Sequence, residues 1–294
     1  MLGTLIWRFQ EALEVFAGRK KTETVVKNNS RIIKWESPEQ YLHENPALKE
    51  LINSISIEFC FSEFGGNRVN AGGGTFDSSC RLDPSLTSLK KYFPNAKYTV
   101  YSNFAIDIPG VNVIESISPI PDKEHPRYLY RTADYFKFVS LTESTSDFKC
   151  AIDTDMLVFS PEIYILIYLT KIFGFCAPQN ARSLLKKDMN ISLDTFKIKD
   201  LSGGYGHSYN QSPMTLWKDD INGNLFFKKC AQIMKREPSR ASLVMWKAAH
   251  ELGFSPYLLP AEWCVCAEDI GIGNEILLHV GHPQVSEYYK INNL

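Results

Sequence analysis

The chain has 294 residues, 32 Lys+Arg against 33 Asp+Glu, a formal net charge of -1 and 44% hydrophobic residues. This ordinary globular composition excludes a disordered chain, which is poor in apolar residues, and a collagen-like or low-complexity one, because 17 Gly and 15 Pro show no period. The balanced charge also excludes the broad positive field of a general nucleic-acid binder, while leaving room for one small anion held by a few side chains or by a metal ion.

In chain order, residues 1–21 read as an amphipathic helix, with Leu2, Leu5, Ile6, Phe9, Leu13 and Phe16 at helical spacing and Arg8, Arg19, Lys20 and Lys21 as basic groups. Such a stripe fits a helix packed on its own domain, or a peripheral contact with a partner or membrane surface. Arg8 arrives too early for a secretory signal, and the longest apolar run, Ile163–Leu169, is far short of the roughly 20 residues of a spanning helix. Seven scattered Cys with no Cys-x-x-Cys point to reduced thiols and a cytoplasmic protein.

Residues 22–50 read as a polar, irregular connector. Ser54–Phe61 alternates with period two and predicts a strand, followed by a Gly-rich loop over 65–74. Asp83-Pro84 predicts the start of a helix that stops at Pro94. Further strands are expected at Tyr98–Tyr101, Val111–Ile114, Lys149–Phe159, Phe173–Ala177, 256–259 and 275–280. Helices are expected at Arg127–Leu141, Pro161–Ile172, 224–235 and 239–252, the last ending at Gly253. Strands alternating with helices imply an α/β fold with a mostly parallel sheet covered on both faces.

The most informative stretch is Cys150-Ala151-Ile152-Asp153-Thr154-Asp155-Met156-Leu157-Val158-Phe159. On an extended chain two carboxylates at i and i+2 project to the same side. Apolar flanks make that pair costly unless it is compensated, and a divalent cation with oxygen ligands, Mg²⁺ or Mn²⁺, is the natural compensator. The plainer alternative is a strand end with Asp153 in a turn and Asp155 capping the next helix.

The order of motifs resembles the GT-A superfamily of nucleotide-sugar glycosyltransferases, in particular its mannosyl- and galactosyltransferase-like branch with a sugar-binding Asp-x-Asp region. Arg131, Asp134 and Lys137 look like the Arg-x-x-Asp-x-x-Arg of the helix before the metal strand, with Lys in place of the last Arg. Asn210-Gln211-Ser212-Pro213-Met214 looks like the Asn-x-Ser-x-Met segment, and Leu259-Pro260-Ala261-Glu262-Trp263 like the Leu-Pro-x-x-Trp-Asn segment, with Cys264 replacing its Asn. His279-Val280-Gly281 looks like the C-terminal His-x-x-Gly region, its small residue one position early. The Asp-Gln that many relatives carry before the penultimate helix is replaced by Ser239-Arg240-Ala241-Ser242.

The resemblance implies a GT-A catalytic domain over 51–285, with 1–50 as amphipathic start and connector and 286–294 as a tail. It implies a mixed, mostly parallel sheet flanked by helices, and transfer of a sugar from a nucleoside-diphosphate donor to a glycan or other hydroxyl acceptor. Asp153, Asp155 and His279 would hold Mn²⁺ or Mg²⁺, which stabilises the diphosphate leaving group. Arg131, Asp134, Lys137, Asp153, Asn210 and Ser212 would contact the donor. Glu262 is the first candidate for a base, with Asp219 and Asp220 next. Two other readings of the same residues stand beside this one. One is a haloacid-dehalogenase-like phosphatase with Asp153 as nucleophile and Asp219-Asp220 or Glu268-Asp269 as its later acidic pair. The other is a sugar-binding protein without catalysis.

Overall fold

The computed structural model describes residues 37–65, 67–69, 75–77, 79–179, 209–266 and 276–279. The amphipathic start, most of the Gly-rich loop, the stretch 180–208, the Glu268-Asp269 pair and the tail lie outside the described residues. Helices α1 (Pro38–Glu44) and α2 (Pro46–Ser54) come first, then β1 (Ile57–Glu63), β2 (Asn67–Val69), β3 (Thr75–Asp77) and α3 (Ser79–Tyr92). There follow β4 (Lys97–Ser102), β5 (Asn112–Glu115), α4 (Tyr128–Glu143), β6 (Phe148–Ala151), β7 (Met156–Val158) and α5 (Ile165–Phe173), the last entered through a 3₁₀ turn at Pro161–Tyr164. The second half holds β8 (Phe175–Pro178), β9 (Met214–Trp217), α6 (Ile221–Arg236), α7 (Ala241–Leu252), β10 (Tyr257–Leu259), β11 (Val265–Cys266) and β12 (Leu277–His279).

The central sheet runs β10-β8-β9-β6-β1-β4-β5. The pairs β1–β4, β1–β6, β4–β5 and β8–β10 are parallel, and β9 runs antiparallel to both β6 and β8. This is the expected α/β arrangement, a mixed and mostly parallel sheet flanked by helices. Alternation along β1 explains its two-sided burial. Phe59 and Phe61 enter the core shared with α3 and α5, while Cys60 between them faces Ser140 of α4. On the α4 side, Phe138, Phe227, Cys230 and Val244 close a second core around α4, α6 and α7. Apolar side chains on both faces, not alternation of polar and apolar, are what a buried parallel sheet demands.

Three local expectations are corrected. The connector over 22–50 is helical from Pro38 onward, because Ser37 and the two prolines start short helices and Tyr41 is buried against Tyr164. The helix predicted to open at Asp83 instead starts at Ser79 and carries Pro84 inside it. The strand expected over 149–159 is two strands in different sheets, β6 in the central one and β7 in a small β11-β12-β7 sheet. The break falls on Asp153 to Asp155.

Gly174 shows how tightly the lower edge of the sheet is closed. It ends α5 at φ +82, and an added Cβ would lie 2.4 Å from the Asp220 carboxylate, which caps α6 by accepting from the Gly223 N–H. Gly174→Ala is therefore expected to cost about 2–3 kcal/mol, from the left-handed backbone and the displaced cap together. Urea unfolding measures this, and a loss below about 0.5 kcal/mol would show that the edge relaxes freely.

Candidate metal and donor site

Parallel strands β1, β4 and β6 deliver their carboxyl ends to one edge of the sheet, where ligands of open α/β sheets sit. Asp153, Thr154 and Asp155 form the turn that leaves β6 at this edge. The two carboxylates thus come together by a turn, not by the extended-strand geometry expected. Met156 of β7 pairs with His279 of β12 in antiparallel register, which brings His279 beside Asp155. His279 Nε2 lies 3.1 Å from Asp155 Oδ1, and ligand atoms of Asp153, Asp155 and His279 all fall within 4.8 Å of one another.

Two buried residues that the sequence does not announce in these roles hold this turn. Thr154 Oγ1 donates to Glu63 Oε2 at 2.9 Å, so the last residue of β1 clamps the middle of Asp-Thr-Asp. Ser212 Oγ accepts from the Asp153 N–H at 2.8 Å and donates to Met156 Sδ at 2.9 Å. Ser212 is fully buried and supports Asp153 from behind. The signal for Glu63 was an acid at the carboxyl end of an apolar strand, missed because the alternating run was read as stopping at Phe61. Ser212→Ala is expected to weaken Mn²⁺ binding by about 10–100-fold while the chain stays folded, as loss of groups that orient metal ligands does. Isothermal titration with Mn²⁺ reads this, and unchanged affinity would show that the turn keeps its shape without Ser212.

Behind the turn lies a buried charge relay. Lys137 Nζ bonds Asp153 Oδ1 on one side and Asp134 Oδ1, at 3.2 Å, on the other. Asp134 Oδ2 also accepts from the Ala241 N–H at 3.3 Å, tying the first turn of α7 to the site. Burial opposes the Lys137 charge, but Asp153 and Asp134 outweigh it and push the ammonium's pKa up. Burial raises the Asp134 pKa, partly offset by Lys137. A single ammonium between two carboxylates suits Lys, whose point charge reaches both, better than the planar fork of Arg. Arg131 lies half-buried one turn earlier on α4, and its guanidinium makes no ion pair among the described residues.

Of the remaining candidates, Asn210 lies at the same edge, its N–H bonded to the Pro178 carbonyl at the carboxyl end of β8. Asn210 donates from Nδ2 to Cys264 Sγ at 3.0 Å, and its Oδ1 accepts from the Gln211 N–H. Asp219 and Asp220 follow Trp217, which pairs with Phe148 at the start of β6, whereas Met214 pairs with Ala151 at its end. They therefore lie at the opposite edge of the sheet from Asp153. Glu262 accepts through its backbone carbonyl from the Ile276 N–H, at the far end of β12 from His279. Three strand residues, about 10 Å, separate those ends.

At the same edge of the sheet, a cavity of about 240 Å³ opens where β1, β4 and β5 end. Phe64, Asn103, Ser116, Ser118, Tyr128 and Thr132 line it. Asn103 Oδ1 accepts from the Gly65 N–H at 2.8 Å.

No family model and no curated protein matches the chain. Among solved structures, one similar to it is that of the galactosyltransferase LgtC in complex with donor and acceptor sugar analogues. The TM-score is 0.48 and the identity 10%, over 81% of this chain and 95% of that one.

Proposed function

We propose that the chain is a metal-dependent glycosyltransferase that takes its sugar from a nucleoside-diphosphate donor. The observation that carries the reading is the convergence of Asp153, Asp155 and His279 on one point at the carboxyl edge of the sheet. Two carboxylates and an imidazole are a donor set that Mn²⁺ accepts. The surroundings agree: Lys137 bonds Asp134 and Asp153, and Asp155 lies buried beside them against His279. A divalent cation would offset the negative charge of the Asp153 and Asp155 carboxylates, which burial makes costly.

Asp153, Asp155 and His279 would hold the ion, and when bound it supplies positive charge for the diphosphate leaving group. The chain's own residues do the rest. Glu63 and Ser212 fix the turn that aims the carboxylates. Lys137 holds Asp153 in place and keeps Asp134 from repelling it. Arg131, half-buried on α4, is the cation we assign to the donor's phosphates. The cavity lined by Tyr128, Phe64 and Asn103 is the space we assign to the nucleoside.

Placement disfavours the phosphatase reading. Asp219 and Asp220, its later acidic pair among the described residues, lie across the sheet from Asp153. The test is release of nucleoside diphosphate from a panel of nucleotide-sugars with Mn²⁺ present. Release that stops on chelation is expected, whereas release of inorganic phosphate from phosphomonoesters, lost on Asp153→Asn, would replace the proposal with a phosphatase. Donor binding without release across acceptors would leave a sugar-binding protein.

A further inference from the structure

The hydrogen-bonding sign of the cavity at the ends of β1, β4 and β5 can be read from its lining. Ser116, Ser118 and Thr132 each bring a hydroxyl. Ser116 Oγ donates to the Ile114 carbonyl at 3.0 Å. Thr132 Oγ1 donates to the Tyr128 carbonyl at 3.0 Å, so in its 2.6 Å contact with Ser118 the Ser118 hydroxyl is the donor. A hydroxyl has one proton to give, and all three are given to the protein. What these groups still offer a ligand is lone pairs. Glu115 ends β5 at the cavity, is exposed there, and has no bonding partner among the described residues. Its carboxylate only accepts.

One side-chain donor stands against this set. Asn103 Oδ1 is taken by the Gly65 N–H, which orients the amide and leaves Nδ2 without a partner among the described residues. The Tyr128 hydroxyl can donate or accept and does not select. Phe64 supplies an apolar wall, held by stacking on Phe136 with ring centroids 5.0 Å apart.

A lining of acceptors with one amide donor suits a ring that carries donors in surplus. The bases differ in this respect. Uracil presents one N–H between two carbonyls, cytosine one amino group beside two acceptors, and adenine one amino group beside a ring nitrogen. Guanine presents N1–H and its N2 amino group side by side, with O6 next to them. Two adjacent N–H donors match a carboxylate in bidentate contact, and O6 matches the free amide nitrogen. A carboxylate also suits the base end of a nucleoside diphosphate, since it would repel the phosphates.

We infer that Glu115 and Asn103 select a guanine base, so that the sugar donor is a guanosine diphosphate sugar. The inference rests on the assignment of this cavity to the nucleoside. The full chain with Mn²⁺ is titrated with GDP, UDP, ADP and CDP, and with inosine diphosphate, which lacks only the N2 amino group of GDP. Inosine diphosphate should bind about tenfold more weakly than GDP, the effect of one hydrogen bond to a charged acceptor, and the other three at least as weakly. Glu115→Gln should erase the difference between GDP and inosine diphosphate, with unchanged thermal unfolding because the side chain is exposed. Equal binding of the four bases, or preference for another base, overturns the inference and leaves the nucleotide site in place. A Glu115→Gln loss that is the same for every nucleotide overturns it too, giving the carboxylate to the ribose hydroxyls. Binding of none of the nucleotides would contradict the site itself and remove the inference with it.

Discussion

Asp155→Ala is expected to remove Mn²⁺-dependent binding of a nucleoside diphosphate, a loss of at least about 100-fold, since replacing a ligand exceeds the effect of disturbing the groups that orient one. Asp155 is 0% exposed and meets His279 at 3.1 Å, so it sits at the centre of the proposed donor set. His279→Ala should produce a smaller loss, because the site then keeps both carboxylates, which are the stronger partners of a hard cation. Asp155→Asn separates charge from shape: it keeps the side-chain volume and should still lose most of the metal affinity. Equilibrium dialysis with Mn²⁺, with and without the nucleotide, measures all three. Wild-type affinity in Asp155→Ala would place the metal elsewhere.

Lys137→Met is expected to destabilise the fold by about 3–5 kcal/mol, the cost of breaking a buried ion pair by removing one partner. Two carboxylates, Asp134 and Asp153, would then face each other across a space without the ammonium that now bonds both. Pairing the change with Asp134→Asn should recover much of the loss, since one of the two charges goes with it. Added Mn²⁺ should stabilise Lys137→Met more than wild type, because Asp153 then has the cation as its main compensation. Urea unfolding with and without Mn²⁺ reads both effects. A loss below about 1 kcal/mol would mean that the relay is solvated and merely structural.

Much of this arrangement was legible in the residues. Apolar strands alternating with helices dictated the mostly parallel sheet, and the pair of aspartates inside an apolar run marked a place where charge needed compensation. His279 was reachable only through the order of motifs, since its approach to Asp155 is made by strand pairing over more than a hundred residues. The turn was legible only as the plainer alternative, a strand end with Asp153 in a turn, because Cys150–Phe159 has no glycine or proline to announce a break. The break is imposed by tertiary partners, Glu63 on Thr154 and Ser212 on Asp153. The bond from the Asp153 N–H to Ser212 was not legible either, because a serine near a site reads the same whether it faces the ligand or the wall behind it. Asp219 and Asp220 were plausible acids in sequence, but the antiparallel course of β9 carries them to the other edge. The antiparallel strand itself, Met214–Trp217, is too short for its alternation to stand out from the segment around it.

The central claim is that Asp153, Asp155 and His279 form one metal site that serves a diphosphate. The most direct measurement is isothermal titration of the full chain with nucleoside diphosphates, first with Mn²⁺ and then with the metal chelated. The account predicts saturable binding at one site that requires the metal and is absent in Asp155→Ala. Binding that is equally tight without metal, or no binding of any nucleoside diphosphate in its presence, would contradict it.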